Sequence, residues 1–228
     1  DRLSPTPEAL DGIDAVLFDI PDIGCRFYTY LWTMTYMMQS CIENDKRIFV
    51  LDRPNPIGGD LDLVEGPLLD EDVCSSFVGR WSIPIRHSCT LGELARYFKA
   101  TRLKNCDLEI IQIQHWKRDQ PAKKADWLFI PPSPAIRDVE TALIYPGMGL
   151  LEGINVNEGR GTEFPFKTFG APWINASLMH DAFQNLQLPG IRAEVCSYKP
   201  ESGLFAHQWC FGLQLTITSE AEFRPVNT

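Results

Sequence analysis

No apolar stretch among the 228 residues approaches the roughly 18 that a membrane span needs. Even the best candidate, residues 28–41, is interrupted by Thr29, Thr33, Thr35, Gln39 and Ser40, so a membrane span is excluded. The seven cysteines, at 25, 41, 74, 89, 106, 196 and 210, form no CxxC pair. An odd number cannot all be bridged within one chain, and buried free thiols are expected. The four histidines show no HxH or HExxH spacing and the cysteines do not supplement them, so no metal is expected. GxSxG, GxxxxGK[ST] and GxGxxG are all missing. Serine hydrolase, nucleotide hydrolase and dinucleotide oxidoreductase readings thereby lose their best signals, and no cofactor is expected.

Positive charge is scarce as well. Twenty-one Lys and Arg against 30 Asp and Glu leave a net charge of −9, and no basic run exceeds two residues. Nucleic acid and anionic membrane surfaces are disfavoured as partners. A small anionic substrate stays open, because a few arginines converging in a cleft act at short range while distant charges are screened. The chain begins without a methionine or a signal peptide, and a segment upstream is expected to have been removed. It stops soon after a strand-like run, so the C-terminus is expected to be cut too. With 44% hydrophobic and 22% charged residues the chain has the composition of a soluble globular protein. Its length falls between one large α/β domain and two small ones.

The run 14–20 (DAVLFDI) is short, apolar and β-branched between Gly12 and Pro21, which predicts a buried parallel strand. Leu31, Met34, Met38 and Ile42 recur at helical spacing over 30–43, and 48–52 (IFVLD) gives a second strand, completing a βαβ unit. Thr90 caps a helix predicted over 91–101, and 108–113 (LEIIQI) makes a third strand. This alternation predicts an open, mostly parallel, Rossmann-like doubly wound sheet. After Trp116 the texture turns charged and proline-containing, then glycine-rich from Gly147 to Gly170. A boundary is placed there, giving a Rossmann-like domain at 1–124 and a smaller α+β auxiliary domain at 125–228. The latter is predicted to hold a helix at 176–186 and strands at 192–198 and 211–218.

Polar residues that packing does not readily explain concentrate in three loops. The first holds Asp22, Arg26, Tyr28 and Tyr30 after a buried strand; it reads either as a ligand site or as a salt-bridged turn. The second, 52–56 (DRPNP), fixes Asp52, Arg53 and Asn55 between prolines, as a site or as an Asx turn. The third, 152–162 (EGINVNEGRGT), sets Glu152, Asn155, Glu158 and Arg160 among glycines that permit close backbone approach to a ligand. Arg86 and His87 precede the Thr90 cap, where they can hold an anion or simply serve the cap and the core. Carboxylates, arginines and aromatics in loops suit the binding and cleavage of sugars, which needs a proton donor and a second stabilising group. The carboxylate candidates are Asp19, Asp22, Asp52, Glu65, Glu152 and Glu158.

The strings 18–30 (FDIPDIGCRFYTY) and 51–59 (LDRPNPIGG) resemble the exo-acting β-N-acetylmuramidases, a glycoside hydrolase family that was formerly a domain of unknown function. Further ordered matches are 64–67 (VEGP), 76–79 (SFVG), 84–87 (PIRH), 131–134 (PPSP), 150–153 (LLEG), 158–162 (EGRGT) and 169–173 (FGAPW). The resemblance implies a Rossmann-like catalytic domain joined to a smaller auxiliary domain, with the active site in the cleft between them. It also implies release of N-acetylmuramic acid from the non-reducing ends of peptidoglycan fragments, and a periplasmic or secreted protein. On that reading Arg26, Arg53, Arg86 and Arg160 are the forks available for the lactyl carboxylate. Tyr28 and Trp173 offer faces for the sugar, and Asp52, Asn55, Glu65, His87, Glu152 and Asn155 complete the substrate-binding set. Asp22 and Glu158 are the expected catalytic or stabilising carboxylates, unless the substrate's acetamido group is the nucleophile and they only orient it. The family carries glutamine where Pro21 stands, and glycine and methionine where Ser88 and Cys89 stand. It also has an upstream Ser-Pro-Glu-His-Gly segment whose glutamate is the expected acid, so this chain alone is expected to be inactive. A noncatalytic muropeptide-binding module is the competing reading.

Overall fold

The computed structural model describes residues 3–119 and 128–227. The chain forms two compact units, residues 1–132 and 133–228. The boundary expected at 124/125 lies outside the described residues.

In the first unit, β1 (Ala15–Phe18), β2 (Arg47–Leu51) and β3 (Leu108–Ile111) form a parallel sheet in the order β1-β2-β3. Val16 lies opposite Ile48 and Ile48 opposite Leu108, while Phe18, Val50 and Ile110 line up two residues on. Because successive side chains alternate between faces, these six residues share one face. Phe18, Ile48 and Val50 are buried there against α1 (Tyr30–Glu43) and α3 (Leu91–Thr101). Leu31, Met34, Met38 and Cys41 supply the buried stripe of α1. A one-turn helix, α2 (Glu71–Cys74), starts at an Asp70 cap. At α3, Thr90 and Glu93 form a complete capping box. Among the described residues the opposite sheet face is the more open one: Leu17 is 66% exposed and Ile111 46%. Parallel sheets are ordinarily covered on both faces.

The second unit contains α4 (Val139–Met148), β4 (Thr168–Ala171), α5 (Ala176–Asn185), β5 (Ile191–Tyr198) and β6 (Cys210–Ile217). Its sheet is antiparallel, ordered β4-β6-β5, with Glu194 opposite Gln214 and Phe169 opposite Leu213. The helix α5 lies on β5 and β6. The mixed α/β expectation holds, with strand ends shifted by a residue or two. The sequence reading missed α4 and β4. The helix α4 is buried on nearly every side and carries Pro146, so it shows no amphipathic period. Of the seven cysteines, four are buried as expected, whereas Cys74 is exposed.

Among the described residues no helix is long and apolar enough to cross a membrane. No group of three or more His, Cys, Asp or Glu among them is placed to hold a metal ion.

Candidate active site

Doubly wound sheets bind ligands beyond the carboxyl ends of their strands, and the loops after β1 and β2 emerge there. Isolated bridges join Arg86 to both Cys25 and Glu65, tying three loops together. The Arg86 side chain donates from Nη1 to Glu65 Oε1 at 2.9 Å and from Nη2 to the Ile57 carbonyl at 2.8 Å. Both partners of this ion pair are only 2% exposed. Arg26 donates from Nη1 to the carbonyls of Pro67 and Ile83, at 2.7 and 2.6 Å. Asn55 accepts from the Ile57 N–H and donates to the Cys89 carbonyl. Gly24, at φ +81°, passes so close that a Cβ there would lie 2.5 Å from Asn55 Oδ1.

Asp52 fills the amino end of α3. Its Oδ1 accepts from the Gly92 and Arg53 N–H groups, and its Oδ2 from the Thr90 hydroxyl. Burial raises its carboxyl above the ordinary range, against the pull of these donors. The anion site expected beside Arg86 and His87 at this helix start is therefore filled by the protein's own carboxylates, Asp52 and Glu93. Arg26, Asp52, Asn55, Glu65 and Arg86, all expected to meet substrate, are turned instead toward protein partners that build the loop framework. Arg118, which the sequence reading passed over, braces the same framework by donating to the Gly59 and Ser88 carbonyls and pairing with Glu93.

Asp22 stands apart from that framework. Its Oδ2 accepts from the Gly24 N–H at 2.8 Å and lies 3.3 Å from His87 Nε2. Its Oδ1 is buried with no hydrogen-bond partner among the described residues. The His87 Nδ1 accepts from the Cys89 N–H at 3.2 Å, which puts the neutral ring's proton on Nε2, toward Asp22. Ser88 holds φ +51°, a conformation that glycine enters without strain and other residues rarely adopt. Burial alone would lower His87, but the contacts with Asp22 and the Cys89 side chain outweigh it and push the ring up to about 9. A raised folded-state value contributes stability that is complete below the unfolded-state value and is lost as pH climbs through about 9. An NMR titration of the His87 ring is expected to centre near that value. In Asp22→Asn it should fall below the ordinary histidine range; an unchanged midpoint would exclude Asp22 as the cause.

Asp22 and Arg53 line a cavity of about 30 Å³ with Pro21, Pro54, Pro56 and Phe129. Arg53 pairs with Asp19 at its rim, at 2.6 Å. Tyr28 packs edge-on against Tyr30, with ring centres 5.0 Å apart.

In the second unit Arg160 lies over the Phe166 ring at 4.8 Å and pairs from Nη1 with Glu152 at 3.0 Å and Glu158 at 3.3 Å. Its side chain remains 43% exposed, whereas that of Glu158 is 10% exposed. Gly159, at φ +83°, lets the loop fold under itself: a Cβ would lie 2.5 Å from the Phe164 carbonyl oxygen. Asn157 locks this loop through the Gly159 N–H and the Leu204 carbonyl. It was missed because nothing in the sequence separates it from its neighbour Asn155, which is exposed. Arg160 borders an open groove of about 990 Å³ shared with Arg137, Glu163, Tyr198 and Lys199. Its other side faces a smaller groove of about 590 Å³ that includes Glu152, Asn155 and Glu158. Trp173 follows β4 and is 64% exposed.

A parallel α/β unit and an antiparallel α+β unit, each presenting carboxylates and arginines from its loops, define a two-part α/β protein equipped for a polar ligand. Residues 1–140 match the model of the exo-β-N-acetylmuramidase NamZ N-terminal domain, and residues 143–228 that of its C-terminal domain. The chain belongs to this family. It is 41% identical over 224 residues to the peptidoglycan β-N-acetylmuramidase NamZ of Bacillus subtilis (strain 168), covering 98% of this chain and 53% of that protein. Two crystal structures of DUF1343 family proteins from Bacteroides fragilis NCTC 9343 share the fold. One superposes with a TM-score of 0.91 at 34% identity, over 98% of this chain and 58% of that one. The other gives 0.76 at 32% identity, over 96% and 57%. The chain thus spans about half the length of the curated relative it matches.

Proposed function

We propose that the whole protein is a glycoside hydrolase that releases N-acetylmuramic acid from the non-reducing ends of peptidoglycan fragments, outside the cytoplasm, during cell-wall turnover. The observation that carries this reading is the Asp22 carboxylate, buried beside His87 with one oxygen unmatched by any donor among the described residues. Cleaving a glycosidic bond builds positive charge at the anomeric carbon, and a carboxylate fixed in a dry site stabilises it. Glu158, buried beside Arg160, is the second carboxylate in this reading. Family membership supports the substrate class.

Arg160 is the fork for the lactyl carboxylate. It is the expected arginine that combines exposure with a groove, whereas Arg86 is buried on Glu65. In the whole protein, Arg160→Ala is expected to weaken binding of N-acetylmuramic acid by about 10- to 100-fold, as loss of a charge-assisted hydrogen bond does. Binding of N-acetylglucosamine, which has no carboxylate, should barely change. Equal losses for both sugars in a calorimetric titration would remove Arg160 from this role. The reading as a whole is tested with a chromogenic β-glycoside of N-acetylmuramic acid. Turnover is expected, and exclusive turnover of the N-acetylglucosamine glycoside would refute it.

A further inference from the structure

The cavity beside Asp22 joins two features that are rarely found together. Asp22 lines it with a side chain that is only 7% exposed, and among the described residues no donor reaches its buried Oδ1. A buried acceptor of this kind calls for an N–H or O–H donor beyond those of the described residues, from a water or a ligand. Apart from Arg53, the rest of the lining is apolar: Pro21, Pro54, Pro56, Leu128, Phe129 and Ile130. The volume, about 30 Å³, is that of one methyl-sized group. Arg53 sits at the rim with Nε and Nη2 on Asp19 Oδ1, leaving Nη1 N–H groups to donate.

An acetamido group has this shape and polarity in one unit: an N–H donor, a carbonyl acceptor and a small methyl. We propose that this cavity is the subsite for the 2-acetamido group of the substrate sugar. The N–H donates to Asp22 Oδ1, the methyl enters the proline-lined hollow, and Arg53 donates to the carbonyl oxygen. The inference rests on the proposed function only in taking the sugar to be N-acetylated. It makes Asp22 a selector of the acyl group as well as a carboxylate near the reacting centre. His87 and Gly24 act through it by fixing which oxygen points outward. The three prolines have φ locked by their rings, so the hollow keeps its size without ligand.

The test is equilibrium binding to the whole protein of three free sugars: N-acetylmuramic acid, its N-butanoyl analogue and its 2-deoxy analogue without the acylamino group. The wild type is expected to bind the N-acetyl sugar at least about 10-fold more tightly than either analogue. Phe129→Ala, which enlarges the hollow, should close most of the gap for the N-butanoyl sugar. Asp22→Ala should weaken the N-acetyl sugar by about 10- to 100-fold and leave the 2-deoxy sugar unaffected. Equal binding of acetyl and butanoyl sugars by the wild type would overturn the proposal. So would a uniform loss for all three in Asp22→Ala, which is the signature of an ordered water only, and so would the absence of saturable binding. Acyl-selective binding without turnover of any muramic acid glycoside would leave the subsite standing and remove the proposed function.

Discussion

Assayed alone on a chromogenic muramic acid β-glycoside, the 228-residue chain is expected to turn over about 10² to 10⁴-fold more slowly than the whole protein, the usual cost of losing a general acid. A general acid must hold a proton beside the leaving oxygen. The carboxylates singled out here are engaged otherwise: Asp19 by Arg53, Glu65 by Arg86, and Glu152 and Glu158 by Arg160. Asp22 faces His87 and the Gly24 N–H. The carboxyl of Asp52 is raised, yet both its oxygens are held at the start of α3 by Gly92, Arg53 and Thr90. The expected rate loss takes the acid to lie in the part of the whole protein that this chain does not span, the curated relative being about twice as long. Comparable kcat for chain and whole protein would place the acid among the six carboxylates.

The second large effect is on stability. Removing one partner of the Glu65–Arg86 pair, by Glu65→Ala or Arg86→Ala, is expected to destabilise the first unit by about 3 to 5 kcal/mol, because it takes the ion-pair partner from a buried charge. The loss should appear as a lower denaturant midpoint with little change in slope. The pair also joins the 65 and 86 segments through their backbones, so misplacement of His87 should follow. Replacing both residues together with apolar ones of similar volume should recover much of the loss. A midpoint within about 0.5 kcal/mol of wild type for either single variant, the range of ordinary surface changes, would show that the pair is not structural.

The first unit was legible in the sequence because its elements obey simple periods. The stripe Leu31, Met34, Met38 gave α1, the short apolar runs gave β1 and β2, and Thr90 with Glu93 marked the start of α3. The helix α4 was not legible, since burial on nearly all sides erases amphipathic contrast and Pro146 argues against a helix; its one clear signal was the Asp138 cap. Loop chemistry was legible only as composition. Asp22, Arg26, Asp52, Glu65 and Arg86 look alike as polar loop residues, yet Asp22 alone among them keeps a buried oxygen with no hydrogen-bond partner. What separates them is long-range pairing such as that of Glu65 with Arg86, which spacing along the chain does not encode. The Asn157 lock and the Arg118 brace were hidden for the same reason.

The central claim, that muramic acid is removed from chain ends, is tested most directly by digesting peptide-free glycan strands with the whole protein and following the products by mass spectrometry. Strands with N-acetylmuramic acid at the non-reducing end should lose it as the free monosaccharide from the first minutes, with no internal cleavage products. The Asp22→Ala variant should slow this release by about 10²-fold or more. Early disaccharides or mid-chain oligosaccharides, or undiminished release by Asp22→Ala, would contradict it.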